Sequence, residues 1–331
     1  MTDYRVTFME KGRAALVRHP FDGGAAAGEI VGKNLLSLIS TGSERGGFTQ
    51  DFPADSYPME TGSSSIAQVL EVGEGVTGFA PGDLFYHNGH HTRYVRLPQG
   101  DAIAVPGGAE PEKVLFGRYA AVSMTSIYHM KARAVDNIIV TGQGMVGVMC
   151  AAVLQAFGFE VYAVDPSPER RAAAREAGIR RVGESLAALG AAEKSCGAHM
   201  ECSGNENALR AALPYLRRGG EIFQIGVPWH KNSDWDAHSL LYEMFYAYVS
   251  IQGGWEWSIP LKSDEFHAHS SFEHIRTAMQ LIADGRIVIP EAMFELRDPR
   301  ECNAVYTEIT VPRMRPTSMI LDWRKFAEGA Q

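Results

Sequence analysis

The fold is decided by one stretch of the sequence, Ile138-Ile139-Val140-Thr141-Gly142-Gln143-Gly144-Met145-Val146-Gly147. Its β-branched start predicts a buried strand over 137–141, and the apolar residues after it predict a helix over 145–157. The glycines between them have G-x-G-x-x-G spacing, which lets a pyrophosphate approach the backbone at the start of a helix. The alternative is a glycine-rich turn without a ligand. The strand before it and the helix after it favour a dinucleotide site, with Met145 and Val146 as further contacts.

A carboxylate follows the next predicted strand. That strand covers 160–164, and Asp165 stands 18 residues beyond Gly147. A carboxylate there suits the hydroxyls of a cofactor ribose, and it would repel a 2′-phosphate. The sequence therefore predicts NAD, with NADP the less favoured cofactor. Arg170 is a further candidate contact, and the alternative for Arg170 and Arg171 is a solvated helix face.

Strands and helices alternate through the middle of the chain. Helices are predicted over 116–131, 169–177, 207–216 and 272–283, and strands over 197–202, 221–226 and 286–290. This alternation predicts an α/β class with a doubly wound parallel sheet. The first hundred residues instead contain short runs with β character, at 33–39, 65–73, 84–86 and 92–98. They predict a small β-rich barrel or sandwich domain.

Composition excludes several classes of protein. The chain has 331 residues, room for two domains, and its formal charge is −8, which argues against a nucleic-acid partner. It has neither an apolar run of membrane-spanning length nor a signal-peptide pattern at its start, so no membrane association is predicted. Its four cysteines form no C-x-x-C pair. They indicate packing residues in a reducing cytoplasm.

Several motifs together carry a family resemblance. They are the glycine loop, Val69-Leu70-Glu71-Val72-Gly73, Phe79-Ala80-Pro81-Gly82-Asp83, Glu201-Cys202-Ser203-Gly204 and Leu216-Arg217-Arg218-Gly219-Gly220. With them the chain resembles the medium-chain dehydrogenase/reductase superfamily. The segment 39–44 is similar to the branch containing bacteriochlorophyllide hydroxyethyl dehydrogenases. The resemblance implies a GroES-like catalytic domain of residues 1–115 and 263–331 and a Rossmann domain of residues 116–262.

Two departures from the superfamily concern zinc. Its zinc members carry C-G-[ST]-D and G-H-E motifs, where this chain has Thr41-Gly42-Ser43-Glu44 and Gly62-Ser63-Ser64. The four-cysteine lobe of the structural zinc is also missing. Hydroxyls are poor zinc ligands, so we predict a zinc-independent protein with no metal site. A site rebuilt from His87, His90 and His91 is the alternative.

Without a metal, side chains must handle the substrate proton. The resemblance places Ser43 where relatives have a proton-relay hydroxyl, and it brings Glu44, His90, His91 and Tyr119 into consideration as catalytic groups. A histidine with its ordinary pKa of about 6.5 shuttles protons at neutral pH. The alternatives are a polar surface turn for the histidine loop and an ion pair with Arg45 or another base for Glu44.

The remaining expectations concern the nicotinamide and the assembly. By resemblance Thr125 packs beside the nicotinamide, with a helix-face hydroxyl bonded to the preceding turn as the alternative. Ser203, Gly204 and Gly226 follow strands at their carboxyl ends, where ligands bind open α/β sheets. Trp229, Trp255 and Trp257 could form an apolar wall or pack between domains. The aromatic run 240–249 beside an edge strand predicts a homodimer, and a fully buried element is the alternative.

The resemblance implies an enzyme that interconverts a secondary alcohol and a ketone, and Asp165 predicts NAD(H) as its cofactor. The polar histidines and serines indicate a polyhydroxylated small-molecule substrate, and the tryptophans indicate a bulky one. Two alternatives remain open at this point. One is an enone or quinone reductase, because a conjugated acceptor takes hydride directly and needs no alkoxide stabiliser. The other is a dinucleotide-binding protein without turnover.

Overall fold

The computed structural model describes residues 2–51, 56–311 and 317–326. The strands are Thr2–Glu10 (β1), Arg13–Pro20 (β2), Glu29–Leu38 (β3), Met59–Glu60 (β4), Ser65–Val72 (β5), Leu84–His87 (β6), Tyr94–Pro98 (β7), Ile103–Ala104 (β8), Asn137–Thr141 (β9), Glu160–Val164 (β10), Val182–Gly183 (β11), Cys196–Glu201 (β12), Leu216–Gln224 (β13), Ser250–Gly253 (β14), Phe294–Arg297 (β15) and Ser318–Asp322 (β16). The helices are Ser43–Thr49 (α1), Pro111–Val114 (α2), Gly117–His129 (α3), Met145–Ala156 (α4), Pro168–Glu176 (α5), Glu206–Ala212 (α6), Ala237–Ala247 (α7), Ser271–Ala283 (α8) and Cys302–Ile309 (α9).

The described residues form two compact units. The β unit contains the chain up to Phe116 and the described residues from Phe294 onward, and the α/β unit contains Gly117–Met293. The second boundary differs from the expected one, because residues 263–293 lie in the α/β unit. There α8 packs along α3 so closely that a Cβ on Gly117 would lie 2.9 Å from Cγ of Met279. The expected domain ranges also include residues 1, 52–55, 312–316 and 327–331, which lie outside the described residues.

The β unit is built from two sheets. One has the strand order β2-β1-β4, and the other has the order β15-β16-β3-β5-β6-β8, with β7 also paired to β3. The C-terminal segment returns to this unit, since β16 pairs antiparallel with β3 and places Asp322 opposite Leu36. The core between these elements contains Phe8, Tyr306 and Trp323, all fully buried. The chain ends are thereby joined to one core.

The α/β unit contains one parallel sheet of order β11-β10-β9-β12-β13-β14. The order reverses direction at β9, with β10 on one side and β12 on the other. In a doubly wound sheet, ligands bind outside the carboxyl ends of the strands at this reversal. The predicted α/β fold with a β-rich domain and a Rossmann-like parallel sheet is confirmed.

Some local expectations differ from the structure. The strand predicted over 286–290 does not form, because the N–H groups of Arg286 and Ile287 bond to the carbonyl of Leu281 at the end of α8. The helix predicted over 207–216 ends at Ala212, and β13 begins at Leu216 rather than at residue 221.

The aromatic run 240–249 is not buried. It forms most of α7, where Phe245 is 78% exposed, and Tyr248 follows in the left-handed region at φ 52°. Trp255 and Trp257 are also more than half exposed, so they do not form a packed wall within this unit. None of the helices in the described ranges is long and apolar enough to cross a membrane.

Candidate active site

The glycine loop has the geometry that the sequence motif requires. Gly142 has φ +81°, and a Cβ there would lie 2.7 Å from Cα of Ser203. A Cβ on Gly147 would lie 1.7 Å from the carbonyl oxygen of Gly142, so only glycine lets α4 pack this closely on the loop. At Gly144, by contrast, a Cβ would meet no described atom within 4 Å. The loop is therefore closely packed at its first and third glycines and has free space at its middle glycine, Gly144. Met145 and Val146 are the first residues of α4 beside it.

Asp165, which follows β10, forms a hydrogen bond to the backbone of this loop. Its Oδ2 accepts the N–H of Gln143 at 2.7 Å, and its Oδ1 accepts the N–H of Ser167 at 2.8 Å. The side chain is only 2% exposed, and Nη1 of Arg170 lies 3.7 Å from Oδ2. An ionised carboxylate has about four acceptor positions, so Asp165 can accept donors besides these two N–H groups. Asp165 and Arg170, each a predicted cofactor contact, therefore lie together at the loop.

A buried carboxylate that the sequence analysis missed organises the neighbouring strand ends. Glu201, at the end of β12, accepts the N–H groups of Ser203 and Gly204, each at 2.8 Å, and the Ser203 hydroxyl. It also accepts Nε2 of Gln224 at 2.6 Å. A Cβ on Gly226 would lie 2.4 Å from the nitrogen of Gly204. Ser203 thus packs against Gly142, and Gly204 packs against Gly226, beyond the carboxyl ends of β12 and β13. Ligand binding at these three residues stays a prediction.

Thr125 and Tyr119 lie on α3 and are buried. The Thr125 hydroxyl is 3.5 Å from Nδ1 of His274 on α8, so it faces the neighbouring helix. The alternative of a bond to the preceding turn is not what the structure shows. Tyr119 is 6% exposed within the same helix.

In the β unit, Glu44 is the centre of a buried hydrogen-bond network. Its Oε2 accepts the hydroxyls of Thr61, at 3.0 Å, and of Tyr306, and it lies 3.0 Å from Nε2 of His91. Its Oε1 accepts the N–H of Ser40 at 2.7 Å. Burial alone would raise the pKa of Glu44, but His91, Tyr306 and Ser40 lower it overall. Glu44 is therefore an ionised acceptor, and its base partner is His91 and not Arg45, which faces Asp51.

The acceptor character of Glu44 fixes the tautomer of His91. A carboxylate only accepts, so Nε2 of His91 carries the proton and donates. Its Nδ1 is buried and has no hydrogen-bond partner within the described part of the chain. The same network raises the pKa of Tyr306 well above its usual value, first through burial and then through Glu44.

The other candidates of the β unit divide into exposed and buried groups. Ser43 and His90 are exposed, each next to a member of the Glu44–His91 pair. His87 is buried, its Nε2 lies 2.8 Å from Oδ1 of Asn34, and burial lowers its pKa to about 4. The histidine loop is therefore not a simple surface turn, because two of its three histidines belong to the core.

The described histidines of the β unit do not form a set of zinc ligands. No three His, Cys, Asp or Glu side chains converge as metal ligands anywhere in residues 2–51, 56–311 and 317–326. Nε2 of His87 bonds to Asn34 and Nε2 of His91 bonds to Glu44, so these rings face different partners. The residues present do not fit a zinc site of three histidines.

Part of the chain is similar in sequence to known dehydrogenases and reductases. Residues 145–269, all in the α/β unit, match the family described as zinc-binding dehydrogenase. The L-threonine 3-dehydrogenase of Chelativorans sp. (strain BNC1) is 26% identical in an alignment 220 residues long that covers 54% of this chain and 63% of that protein. The acryloyl-coenzyme A reductase of Metallosphaera sedula is 28% identical in an alignment 209 residues long that covers 53% of this chain and 62% of that protein. The matched regions thus span under two thirds of these relatives.

Solved structures resemble the chain over nearly its whole length. Galactitol-1-phosphate dehydrogenase from Escherichia coli has a TM-score of 0.78 at 16% identity and covers 96% of this chain and 99% of its own. Acetophenone reductase from Geotrichum candidum, in complex with NAD, has a TM-score of 0.77 at 16% identity, covering 98% of each chain. A putative zinc-binding dehydrogenase from Sinorhizobium meliloti, bound to NADP, has a TM-score of 0.77 at 17% identity, covering 97% of this chain and 99% of its own. Residues 145–269 thus match a zinc-binding dehydrogenase family, and the fold of the chain is that of the dehydrogenases and reductases named above.

Proposed function

We propose that this protein is an NAD(H)-dependent oxidoreductase that interconverts a secondary alcohol and a ketone without zinc. The observation that carries the proposal is the glycine loop, tight at Gly142 and Gly147 and open at Gly144. The N–H groups of this loop and the start of α4 would hold the pyrophosphate. When bound, the nicotinamide of such a cofactor accepts or donates the hydride.

Asp165 supports NAD over NADP. Its free acceptor positions suit the two ribose hydroxyls, and its negative charge disfavours a 2′-phosphate. Structures of similar fold hold NADP in one case and NAD in another. The preference proposed for this chain therefore rests on Asp165 and its bonds to the loop.

The donor chemistry of the β unit supports zinc independence. The positions that correspond to zinc ligands in relatives carry the hydroxyls of Thr41 and Ser63, which are weak ligands for Zn²⁺. These positions lie outside residues 145–269, so the match to a family described as zinc-binding does not include them.

Ser43 and His90 are the proposed proton carriers. Both side chains are exposed, and the bond between their neighbours Glu44 and His91 joins the two segments that carry them. On oxidation, the alcohol proton would pass to the Ser43 hydroxyl and on to the imidazole of His90. Glu44 and His91 are positioning residues in this scheme, because they are buried and bonded to each other.

A second function has one observation in its favour. A relative 28% identical over 209 residues is named an acryloyl-coenzyme A reductase, whose name indicates a conjugated acceptor. Reduction of a conjugated carbonyl delivers hydride to the β-carbon and leaves an enolate, which is a weaker base than an alkoxide and takes up a proton at the α-carbon. The enzyme therefore needs a proton donor but no alkoxide stabiliser. Activity on enones without activity on ketones would favour this function.

The experiment combines metal analysis with a substrate panel. The purified protein is dialysed against a chelator, its metal content is measured, and turnover is assayed with NAD⁺ and secondary alcohols or polyols, and with NADH and ketones or enones. We expect unchanged turnover with well under one metal ion per chain. Stoichiometric metal whose removal abolishes turnover would contradict zinc independence. Turnover confined to enones would contradict the alcohol–ketone assignment.

A further inference from the structure

The α/β unit contains a groove that the proposed redox chemistry does not use. It has a volume of about 340 Å³ and lies between the C-terminal half of α3 and the N-terminal half of α8. Met124, Ile127 and Phe157 give it an apolar floor. A space of this size accommodates a small ring compound.

The groove lies far from the glycine loop. Phe157, which lines the groove, directly follows the C-terminal end of α4, whereas Gly144 directly precedes its N-terminal end. A helix of twelve residues is about 18 Å long. A ligand in the groove would therefore not occupy the pyrophosphate position of the cofactor.

One polar group in the groove lacks a partner. His274 is 4% exposed and lines the groove, and its Nδ1 lies 3.5 Å from the Thr125 hydroxyl. Its Nε2 has no hydrogen-bond partner among the residues that the structure describes. A ligand hydroxyl or N–H in the groove can donate a hydrogen bond to this nitrogen when Nδ1 carries the ring proton.

The walls of the groove favour an uncharged aromatic ligand. The rings of Tyr128 and His269 lie 4.2 Å apart between centroids and form one wall. The carboxylate of Glu273 repels an anionic ligand. Because this carboxylate already forms an ion pair with Arg276, it does not require a cationic ligand for charge balance. Burial, and the nearby His269, lower the pKa of His274 to about 4, so its ring is neutral at pH 7 and gives an anion no countercharge.

We propose that this groove binds a small uncharged aromatic molecule with one hydrogen-bonding group, of the phenol or indole type. The aromatic ring lies on the apolar floor beside Tyr128 and His269, and the polar group bonds to Nε2 of His274. The proposal is independent of the redox function, because the groove is lined by residues of α3, of α8 and the segment before it, and by Phe157 at the end of α4 remote from the glycine loop.

The test is a calorimetric titration of the full chain with phenol and indole, with benzoate as the anionic probe. We expect one site per chain, with benzoate at least tenfold weaker than phenol. Thr277→Trp, at the exposed rim of the groove, is expected to abolish binding. Gln280→Trp, one turn further along α8 and outside the groove, is the matched control and should bind as the wild type does.

A second variant tests the polar contact separately. His274→Phe should weaken phenol binding at least fivefold and leave toluene binding unchanged, and His274→Gln should keep phenol binding if the phenylalanine variant does not fold. No saturable binding of phenol or indole at 10 mM, equal affinity for benzoate, or binding that survives Thr277→Trp would overturn the proposal. NADH titration of the same variants should give the wild-type dissociation constant, which separates this test from that of the redox function.

Discussion

Asp165 does two things in the α/β unit. Its two oxygens accept the N–H groups of Gln143 and Ser167, so it holds the glycine loop against the start of α5 before any cofactor is present. In the proposed mode of cofactor binding, the same charge disfavours a 2′-phosphate. A change at this residue should therefore affect both the shape of the loop and the choice of cofactor.

Asp165→Asn is expected to reduce the preference for NADH over NADPH at least tenfold. The amide removes the negative charge and keeps one acceptor for the loop. Fluorescence titration with both reduced cofactors measures the ratio of dissociation constants. Glu169→Gln makes the same change of charge four residues further on and should leave the ratio as it is. An unchanged ratio in Asp165→Asn would show that Asp165 does not select the cofactor.

His87 predicts an acid-sensitive stability. Burial lowers its pKa in the folded chain to about 4, while the unfolded chain takes up the proton near pH 6.5. Between these values only the unfolded state is protonated, so the free energy of unfolding falls as the pH is lowered. This one residue should account for about 2 kcal/mol between pH 7 and pH 5.

Urea unfolding of His87→Gln at the two pH values tests this effect. The variant should lose about 2 kcal/mol less than the wild type on acidification, because glutamine does not titrate. His90→Gln, which changes an exposed histidine of the same loop, should show the full wild-type loss. Equal losses in all three proteins would mean that His87 is protonated in the folded state.

At the scale of the elements, local patterns were sufficient for the α/β unit. The strand over 137–141 and the helix that begins at residue 145 depend on neighbouring residues, and each lies where the sequence predicts it. The segment 286–290 has the composition of a strand but no partner strand. Its backbone bonds instead to the end of α8, which depends on tertiary structure that a local pattern does not contain.

Some contacts in the hydrogen-bond network around Glu44 could not be predicted from the sequence. Glu44 and His91 could be selected as polar groups near a motif, but Tyr306 is 262 residues from Glu44 along the chain and carries no motif. Its contact arises because α9 returns to the core of the β unit. Asn34, which holds His87, and Glu201, which holds Ser203 and Gly204, were missed because each acts through a buried hydrogen bond.

Glu44→Gln should destabilise the contacts among α1, α9 and the histidine loop. The substitution places an N–H₂ group where Thr61, Tyr306 or His91 donates, and it removes the charge that these bonds stabilise. We expect a loss of about 2–3 kcal/mol in the free energy of unfolding. Tyr306→Phe removes one donor and leaves the others, so about 1 kcal/mol is expected from it. Urea unfolding measures both, and a Glu44→Gln protein as stable as the wild type would contradict the network.

At the scale of the whole molecule, the exposed face of α7 supports a homodimer, which we propose. Leu241, Tyr242, Phe245 and Tyr246 are each more than half exposed and lie on one helix. The adjacent β14 is the edge strand of the parallel sheet. Apolar patches and open sheet edges of this kind are commonly covered by a partner.

The variant Tyr242→Ser/Phe245→Ser should therefore sediment as a monomer at concentrations where the wild type is a dimer. Removing two large apolar side chains from the interface reduces the surface buried on association. Tyr128→Ser, an exposed aromatic on α3, is the control and should remain dimeric. A wild type that sediments as a monomer at all concentrations would exclude this assembly.

The central claim is that the glycine loop and Asp165 form a site for NAD. Its most direct measurement is a titration of the unmodified protein with NADH and with NADPH, with Gly147→Ala as the variant whose Cβ would collide with the carbonyl of Gly142. We expect saturable NADH binding at least tenfold tighter than NADPH binding, and neither cofactor bound by Gly147→Ala. Tighter binding of NADPH, or no binding of either cofactor by the unmodified protein, would contradict the claim.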